Sequence, residues 1–267
     1  MLARSRQEVI LEMVRARGSA RISELVSQLG VSDMTIRRDI IRLSHRGLVE
    51  RVHGGATVVD GRNGEEPGFA AKSILQIEEK RAIAALAASL VDPGASVAIS
   101  AGTTTVQVAL ALREVPDLTV VTNSPPVAEI MHDTVRHDRT VILTGGIRTP
   151  SDALVGPVAQ RSLAPLHVDW LFLGVHGIAA VEGLTTPNLV EGEIDRALMA
   201  AASSIVVVAD SSKWGVVGLS TIASLDEVDV LVSDHGLGED ARRTLRERTG
   251  RVLLADAGVN PVAGQRL

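Results

Sequence analysis

Two short stretches of this sequence carry groups that hold phosphates in proteins. The first is Gly102-Thr103-Thr104-Thr105, which follows an apolar run and enters a helical pattern. The backbone N–H groups at a helix start attract anions, glycine lets a ligand approach the backbone, and threonine hydroxyls add hydrogen bonds. A threonine-capped helix without a ligand would have the same residues, so this stretch alone leaves both interpretations open.

The second stretch is Asp210-Ser211-Ser212-Lys213, at the end of another apolar run. Lysine is rare in this chain: only Lys72, Lys80 and Lys213 occur, beside 24 arginines. A compact, rotatable ammonium group at a strand end favours a phosphate contact, with an exposed loop lysine as the alternative.

Strands and helices must bring these stretches together. Apolar runs predict strands at 96–100, 118–122, 140–144, 168–174, 204–209 and 229–233. Helical patterns occur at 78–91, 104–112, 125–131, 157–164, 191–202 and 238–248. Val/Ile/Leu-rich strands that alternate with helices predict an α/β domain with a parallel sheet covered on both faces. The carboxyl ends of such strands share one edge, where ligands bind. The candidate ligand-binding residues at that edge are Gly102, Thr103, Thr104, Thr105, Asn123, Gly145, Gly146, Gly174, Asp210 and Lys213.

The stretch Val31–Ala56 has residues that suit binding to DNA. Ser32 is a helix N-cap after Gly30, and an apolar stripe at helical spacing follows it. Arginines on the other sides of this helix suit insertion into the DNA major groove. The candidate DNA-binding residues are Ser32, Thr35, Arg37, Arg38, Arg42 and His53.

The elements around that helix predict a winged helix-turn-helix domain. Upstream, Ser5–Arg17 has a helical pattern, and Ser23 is expected to cap a second helix. Downstream, strands are expected at Leu48–Val52 and Ala56–Val59, on either side of a turn at His53-Gly54-Gly55.

Charge separates the two predicted domains. Residues 1–57 contain ten arginines and six acidic residues, which gives a net charge of +4. Because the whole chain has a net charge of −5, the remaining 210 residues carry −9. A local basic face is sufficient for electrostatic attraction to DNA. We therefore predict a DNA-binding domain at 1–59, a Gly-rich and charged linker at 60–74, and a ligand-binding domain at 75–267.

Composition limits the remaining possibilities. A chain of 267 residues with 45% hydrophobic and 22% charged residues is typical of globular protein, and no apolar run approaches a membrane span or a signal peptide. The expected location is the cytoplasm. With no cysteine, disulfides and thiolate metal sites are excluded. His132 and His137 are five residues apart, which favours a polar surface segment over a metal site.

The long motif in the first domain resembles that of the DeoR family of bacterial transcription regulators. It contains Thr35-Ile36-Arg37-Arg38-Asp39 and Arg51–Ala56, and it begins upstream at Arg6–Leu11, Ile22–Leu25 and Leu29–Ser32. An arginine-rich solvated surface would explain an isolated Arg-Arg pair, but not this ordered set.

The second domain is similar to the effector domain of the same family, which resembles ribose-phosphate isomerase in fold and binds phosphorylated sugars or related metabolites. The matching residues are GTTT at 102–105, TNS at 122–124, LTGG at 143–146, FLG at 172–174 and DSSK at 210–213. Ser100-Ala101 stands where the family often has Asp-Ser, and Gly192 and Asp195 where it often has Ala and Lys. These departures bear on the identity of the sugar.

The resemblance implies a transcription regulator, most simply a repressor of carbohydrate metabolism genes. It would bind double-stranded operator DNA as a homo-oligomer, respond to a phosphorylated sugar, and need no cofactor. One alternative is a sugar-phosphate isomerase in which Asp210 and Lys213 transfer protons. Another is a DNA-bound scaffold with an empty pocket.

Overall fold

The structure, a computed structural model, describes residues 3–17, 19–45, 48–52, 54–57, 69–132 and 137–256. The chain divides into two compact units, residues 1–75 and 76–267. Each unit has its own hydrophobic core.

The first unit is a winged helix-turn-helix, as the sequence predicts. Its helices are α1 (Ala3–Arg17), α2 (Ile22–Leu29), α3 (Asp33–His45) and the single turn α4 (Phe69–Lys72). Its strands are β1 (Ser19–Arg21), β2 (Glu50–Val52) and β3 (Gly55–Thr57), in the antiparallel order β1-β3-β2. The apolar stripe of α3 lies in the core, where Ile36, Ile40 and Leu43 are buried.

Two details of this unit differ from the sequence prediction. Ser23 does not cap α2: the helix begins at Ile22, and the N–H of Arg21 donates to the Glu24 carboxylate at 3.3 Å. The reason is that β1, which was not predicted, pairs with β3 and leads directly into the helix. Of the predicted linker, 60–68 lies outside the described residues, whereas 69–72 forms α4.

The second unit is a three-layer α/β domain. Its helices are α5 (Ile77–Ala88), α6 (Thr103–Leu112), α7 (Pro125–Met131), α8 (Pro157–Leu163), α9 (Leu189–Ala201) and α10 (Glu239–Arg248). The main strands are β4 (Ser96–Ile99), β5 (Thr119–Thr122), β6 (Thr140–Leu143), β9 (Val168–Gly174), β12 (Ala202–Val208), β14 (Val230–Asp234) and β15 (Arg251–Ala255). They form one parallel sheet in the order β15-β14-β12-β9-β4-β5-β6.

Both faces of this sheet are covered. Val97 and Ile99 of β4 face the core under α5, α6 and α7, whereas Ala98 between them faces the core under α8, α9 and α10. This alternation is the two-residue period of a strand, with apolar residues on both sides.

The sequence did not predict several short strands or the last strand, β15. The short strands are β7 (Ile147–Arg148), β8 (Leu154–Val155), β10 (Gly177–Ala179), β11 (Gly183–Thr186) and β13 (Ser220–Ala223). They form a two-stranded hairpin, β7-β8, and a three-stranded sheet, β10-β11-β13. None of the described helices is long and apolar enough to cross a membrane.

A buried carboxylate joins α1 to α3 in the first unit. Asp39 is 1% exposed and accepts hydrogen bonds from the Arg6 guanidinium and, at 2.9 Å, from the Gln7 amide. Its neighbours Arg37 and Arg38 are exposed, so adjacent residues of this motif lie in different environments. Asp39 fixes the position of α3, and the arginines face solvent.

We predict that Asp39→Ala destabilises the first unit by about 3–5 kcal/mol, because it removes the carboxylate that pairs with the largely buried guanidinium of Arg6. Asp33→Ala is the matched control, since Asp33 is on the same helix and pairs with Arg37 at the surface. The control should cost much less, because water already screens an exposed ion pair. Hydrogen exchange of the buried amides of Ile10 and Ile40 measures both effects. Equal losses in the two variants would contradict the assignment.

Candidate functional site

The outward side of α3 is the candidate nucleic-acid surface. Arg37, Arg38 and Arg42 are all exposed. Arg37 is paired with Asp33 one turn earlier, whereas Arg38 and Arg42 have no side-chain partner among the described residues. Two guanidinium groups are therefore available for another molecule, and a third is held by an exposed ion pair.

The start of α3 is shaped by Ser32 and Thr35. The Ser32 hydroxyl accepts from the N–H of Thr35 at 3.3 Å and lies 2.9 Å from the Thr35 hydroxyl. Ser32 therefore caps the helix, as the sequence predicts. In the wing, Gly55 approaches β1 so closely that a Cβ would lie 2.3 Å from the carbonyl oxygen of Ala20. His53 lies outside the described residues.

In the second unit, two helix N-termini meet the same edge of the sheet. α6 follows β4 directly, and α5 precedes β4 through a short loop, so both helices run antiparallel to the strands. They pack along each other. Their first turns consequently lie at the carboxyl ends of the strands, where exposed N–H groups create a positive potential.

The turn into α6 requires glycine. Gly102 has φ 156° and ψ 159°, a conformation available almost only to glycine. A Cβ there would lie 3.2 Å from the Thr105 hydroxyl, which donates to the Gly102 carbonyl at 2.9 Å. Thr105 is thus fully buried and closes the turn.

The hydroxyls of Thr103 and Thr104 differ from that of Thr105 in their hydrogen bonding. Neither has a hydrogen-bond partner among the described residues, and Thr104 is only 7% exposed. These two hydroxyls at a helix start remain available to a ligand, whereas the Thr105 hydroxyl does not.

Asn123 holds the neighbouring strand ends in place. Its side-chain oxygen accepts from the N–H of Ala101 at 2.9 Å, and its amide donates to the carbonyl of Leu154 at 3.4 Å. It is 2% exposed. The side chain predicted to contact a ligand is committed to the protein, and it positions the residue before Gly102.

Gly174, Gly145 and Gly146 also shape the edge. A Cβ on Gly174 would lie 3.3 Å from Cγ2 of Thr105, and its N–H donates to the Ser100 hydroxyl at 3.0 Å. Gly145 and Gly146 have positive φ in the turn that leads to β7, and a Cβ on Gly146 would lie 2.5 Å from the carbonyl oxygen of Val155. Gly174 therefore packs against the candidate phosphate loop, and Gly146 permits a close approach to the backbone of β8.

Asp210 and Lys213 lie after the carboxyl end of β12, where Asp210 caps a 3-10 turn at Ser211–Lys213. Asp210 is 2% exposed and accepts from the backbone N–H of Ser212 at 3.1 Å and from the Ser212 hydroxyl. Lys213 is half-buried. In the order β12-β9-β4, this turn and Gly102 are two strands apart on one edge, about 10 Å.

Lys80, in the first turn of α5, joins this group. It is 3% exposed, and the charges of Asp210 and Lys213 both act on it. Burial lowers the pKa of Lys80 to about 8 from its ordinary value of 10.5, and Lys213 contributes in the same direction against the opposing effect of Asp210. Lys80 is not among the site residues predicted from the sequence, although it is one of only three lysines in the chain, like Lys213.

A cavity of about 500 Å³ lies between the start of α5 and the Ser211–Lys213 turn. It is lined by Gln76, Glu79, Ser211, Ser212, Asp234, His235, Gly236 and Asp256. Both carboxylate oxygens of Asp234 are occupied, by the N–H groups of Ser211 and Gly236. The acidic lining does not fit an anion on this side of the α5 start. The start of α6, with the open hydroxyls of Thr103 and Thr104, is therefore the better anion site.

Family models match most of this chain. Residues 6–62 match the DeoR-like helix-turn-helix domain, and residues 75–235 match the DeoR C terminal sensor domain. The HTH-type transcriptional regulator GlpR of Haloferax volcanii is 39% identical, over 92% of this chain and 95% of that protein. The putative aga operon transcriptional repressor of Escherichia coli O157:H7 is 34% identical, over 93% of each chain.

Among solved structures, ribose 5 phosphate isomerase A from Neisseria gonorrhoeae matches with a TM-score of 0.39 and 18% identity, over 54% of this chain and 56% of that chain. The fold class of the second unit therefore rests on its own parallel sheet and its two helical layers.

We predict that sulfate binding at the start of α6 takes up protons at pH 8.5, because an anion near Lys80 restores the pKa that burial lowers. With a pKa near 8, the uptake should reach up to about 0.7 proton per site, and it should vanish at pH 6.5, where Lys80 is already charged. Sulfate does not titrate in this range. Calorimetry in two buffers of different ionisation heat measures the uptake.

Lys80→Met should abolish this uptake. Arg81→Met is the matched control, since Arg81 is the next residue of α5 and pairs with Glu78 at the surface. Uptake of the same size in Lys80→Met and in the wild type would show that the anion binds elsewhere.

Proposed function

The chain belongs to the DeoR family of transcriptional regulators, and on that premise we propose that it is a repressor of carbohydrate metabolism genes controlled by a phosphorylated sugar. Residues 1–59 would bind operator DNA, and residues 75–267 would bind the effector, with 60–74 as the linker between them. Operator DNA is in the cytoplasm, so the protein would work there.

The DNA-binding half of the proposal is supported by the chemistry of α3. Guanidinium groups recognise guanine edges in pairs of hydrogen bonds, and they neutralise phosphates. Arg38 and Arg42 are exposed and available, and Arg37 needs only to exchange an exposed ion pair for a phosphate. Ser32 and Thr35 lie at the helix start, the part of a recognition helix that approaches base edges.

The effector half rests mainly on one observation, the buried ammonium of Lys80 beside Asp210 and Lys213. A lysine with a pKa near 8 is still mostly charged at pH 7, and burying that charge costs free energy. A phosphate dianion would offset the cost. Thr103 and Thr104 offer hydroxyls at the start of α6, and Ser211 offers a hydroxyl in the neighbouring turn for the sugar.

The two halves must be thermodynamically coupled for such a protein to regulate. Effector binding can change operator affinity only by the ratio of its affinities for the DNA-competent and DNA-incompetent states, typically about 1–3 kcal/mol. Operator DNA must change effector affinity by the same factor. We propose that the effector weakens binding of operator DNA.

We also propose that the protein is a homo-oligomer. A single winged helix covers a short stretch of DNA, so tight binding favours two heads on repeated half-sites. The body has exposed apolar side chains at the start of α9 and before β13, where Leu189, Val190, Val217 and Leu219 are 42–77% exposed. Self-association would remove such a surface from water.

A sugar-phosphate isomerase is less well supported. Its proton transfer would require Asp210 to act on the substrate, but Asp210 is buried and holds Ser212. The matching family models and the similar proteins are those of transcriptional regulators.

We expect Lys213→Ala to lose most of the effector response and to retain wild-type affinity for operator DNA without effector. The reason is that Lys213 belongs to the sensor unit and would contact only the phosphate. Operator affinity is measured by fluorescence anisotropy across a series of pentose and hexose phosphates. Arg246→Ala, which removes one exposed charge from α10 of the same unit, is the control and should respond normally. A normal response of Lys213→Ala to the effector of the wild type would refute the site.

Light scattering at micromolar concentration should give a mass of at least two chains, with and without DNA. A monomer in both conditions would count against the oligomer, and it would leave the effector site unaffected.

A further inference from the structure

The outward face of α3 carries apolar side chains as well as arginines. Met34 is 69% exposed and Ile41 is 37% exposed. With 3.6 residues per turn, residues 34, 37, 38 and 41 share one side of the helix. This side lies opposite the buried stripe of Ile36, Ile40 and Leu43.

Met34 occupies the middle of that side. At about 100° per residue, it projects roughly opposite the centre of the buried stripe. Arg38 and Ile41 flank it closely, whereas Arg37 and Arg42 lie towards the two borders of the exposed arc. The helix therefore presents an apolar centre between two outer cations, which is not the pattern of a helix face selected for solvation alone.

This arrangement matches the cross-section of a major groove. Phosphates line its two borders, and base edges form its floor. Cations at the borders of the arc suit the phosphates, and side chains at its centre reach the bases. On the floor, the only apolar group that a base presents is the 5-methyl group of thymine. An unbranched, adaptable thioether is well suited to pack against it.

Resting on the proposed DNA-binding function, we infer that Met34 reads the 5-methyl group of a thymine in the operator. This thymine lies next to the base contacted by Arg38, and Ile41 extends the apolar contact. The operator half-site would then contain a thymine whose methyl group contributes to affinity in addition to its base pairing. Met34 is thus a specificity-determining residue.

The test removes the same methyl group from the DNA and the matching side chain from the protein. The probe is a duplex enriched from a randomised pool by the full-length wild-type chain, resynthesised with deoxyuridine in place of each thymine in turn. Deoxyuridine keeps the base pairing and lacks only the methyl group. We expect about threefold to fivefold weaker binding of the wild type at one thymine in each half-site, the effect of exposing one methyl group.

Three variants show whether Met34 causes that loss. Met34→Ala should bind the thymine and deoxyuridine duplexes equally, and Met34→Leu should retain the discrimination. Arg38→Ala is the matched control on the same face. It should bind the thymine duplex more weakly than the wild type, because it loses the contact to a neighbouring base pair. Replacing the thymine by deoxyuridine should then weaken its binding by the same factor as in the wild type. Because Met34 is exposed, the substitutions leave the core unchanged.

Two results would overturn this inference and leave the proposed DNA-binding function intact. One is a wild type that binds every deoxyuridine duplex as tightly as its thymine counterpart. The other is a deoxyuridine effect that persists in Met34→Ala, which would mean that another residue contacts the methyl group. If the pool yields no enriched sequence, the proposed DNA-binding function fails, and the inference fails with it.

Discussion

The parallel arrangement of the seven-stranded sheet is the constraint on which the sensor unit depends. Because β4, β9 and β12 run in one direction, the residues after them reach the same edge although they are far apart in sequence. The helices before and after β4 then bring their N-termini to that edge. The positive ends of α5 and α6 and the buried ammonium of Lys80 are consequences of this one topology.

At this edge the polar groups divide into those that build the site and those left open. Asn123, Ser100 and Thr105 use their side chains to connect neighbouring strand ends and to close the turn at Gly102. The hydroxyls of Thr103 and Thr104 have no such use among the described residues. A rigid frame of satisfied hydrogen bonds around a few open donors is the usual arrangement of a preorganised binding site.

Sequence patterns predicted the fold class, the six strands from β4 to β14 in the main sheet and the winged helix, because those depend on periodicity and on a long ordered motif. They missed the short strands, several of which have only two or three residues and too little period to recognise. They also missed β15, although it is as long and as apolar as strands that were predicted. They selected Lys213 and passed over Lys80 for a physical reason. Position 80 lies in an amphipathic helix, and only the tertiary structure shows that its side chain is buried beside Asp210.

That burial also sets an energy scale for regulation. Lowering the pKa of Lys80 from 10.5 to about 8 corresponds to a cost on the order of 3 kcal/mol for the charged form in the folded protein. The folded state binds fewer protons than the unfolded chain between these two values, so the unfolding free energy rises with pH across that window. An anion at the site would return much of this free energy. The amount is comparable with the 1–3 kcal/mol by which allosteric ligands usually couple to a second site. Only the part of it that differs between the DNA-competent and DNA-incompetent states can alter operator affinity.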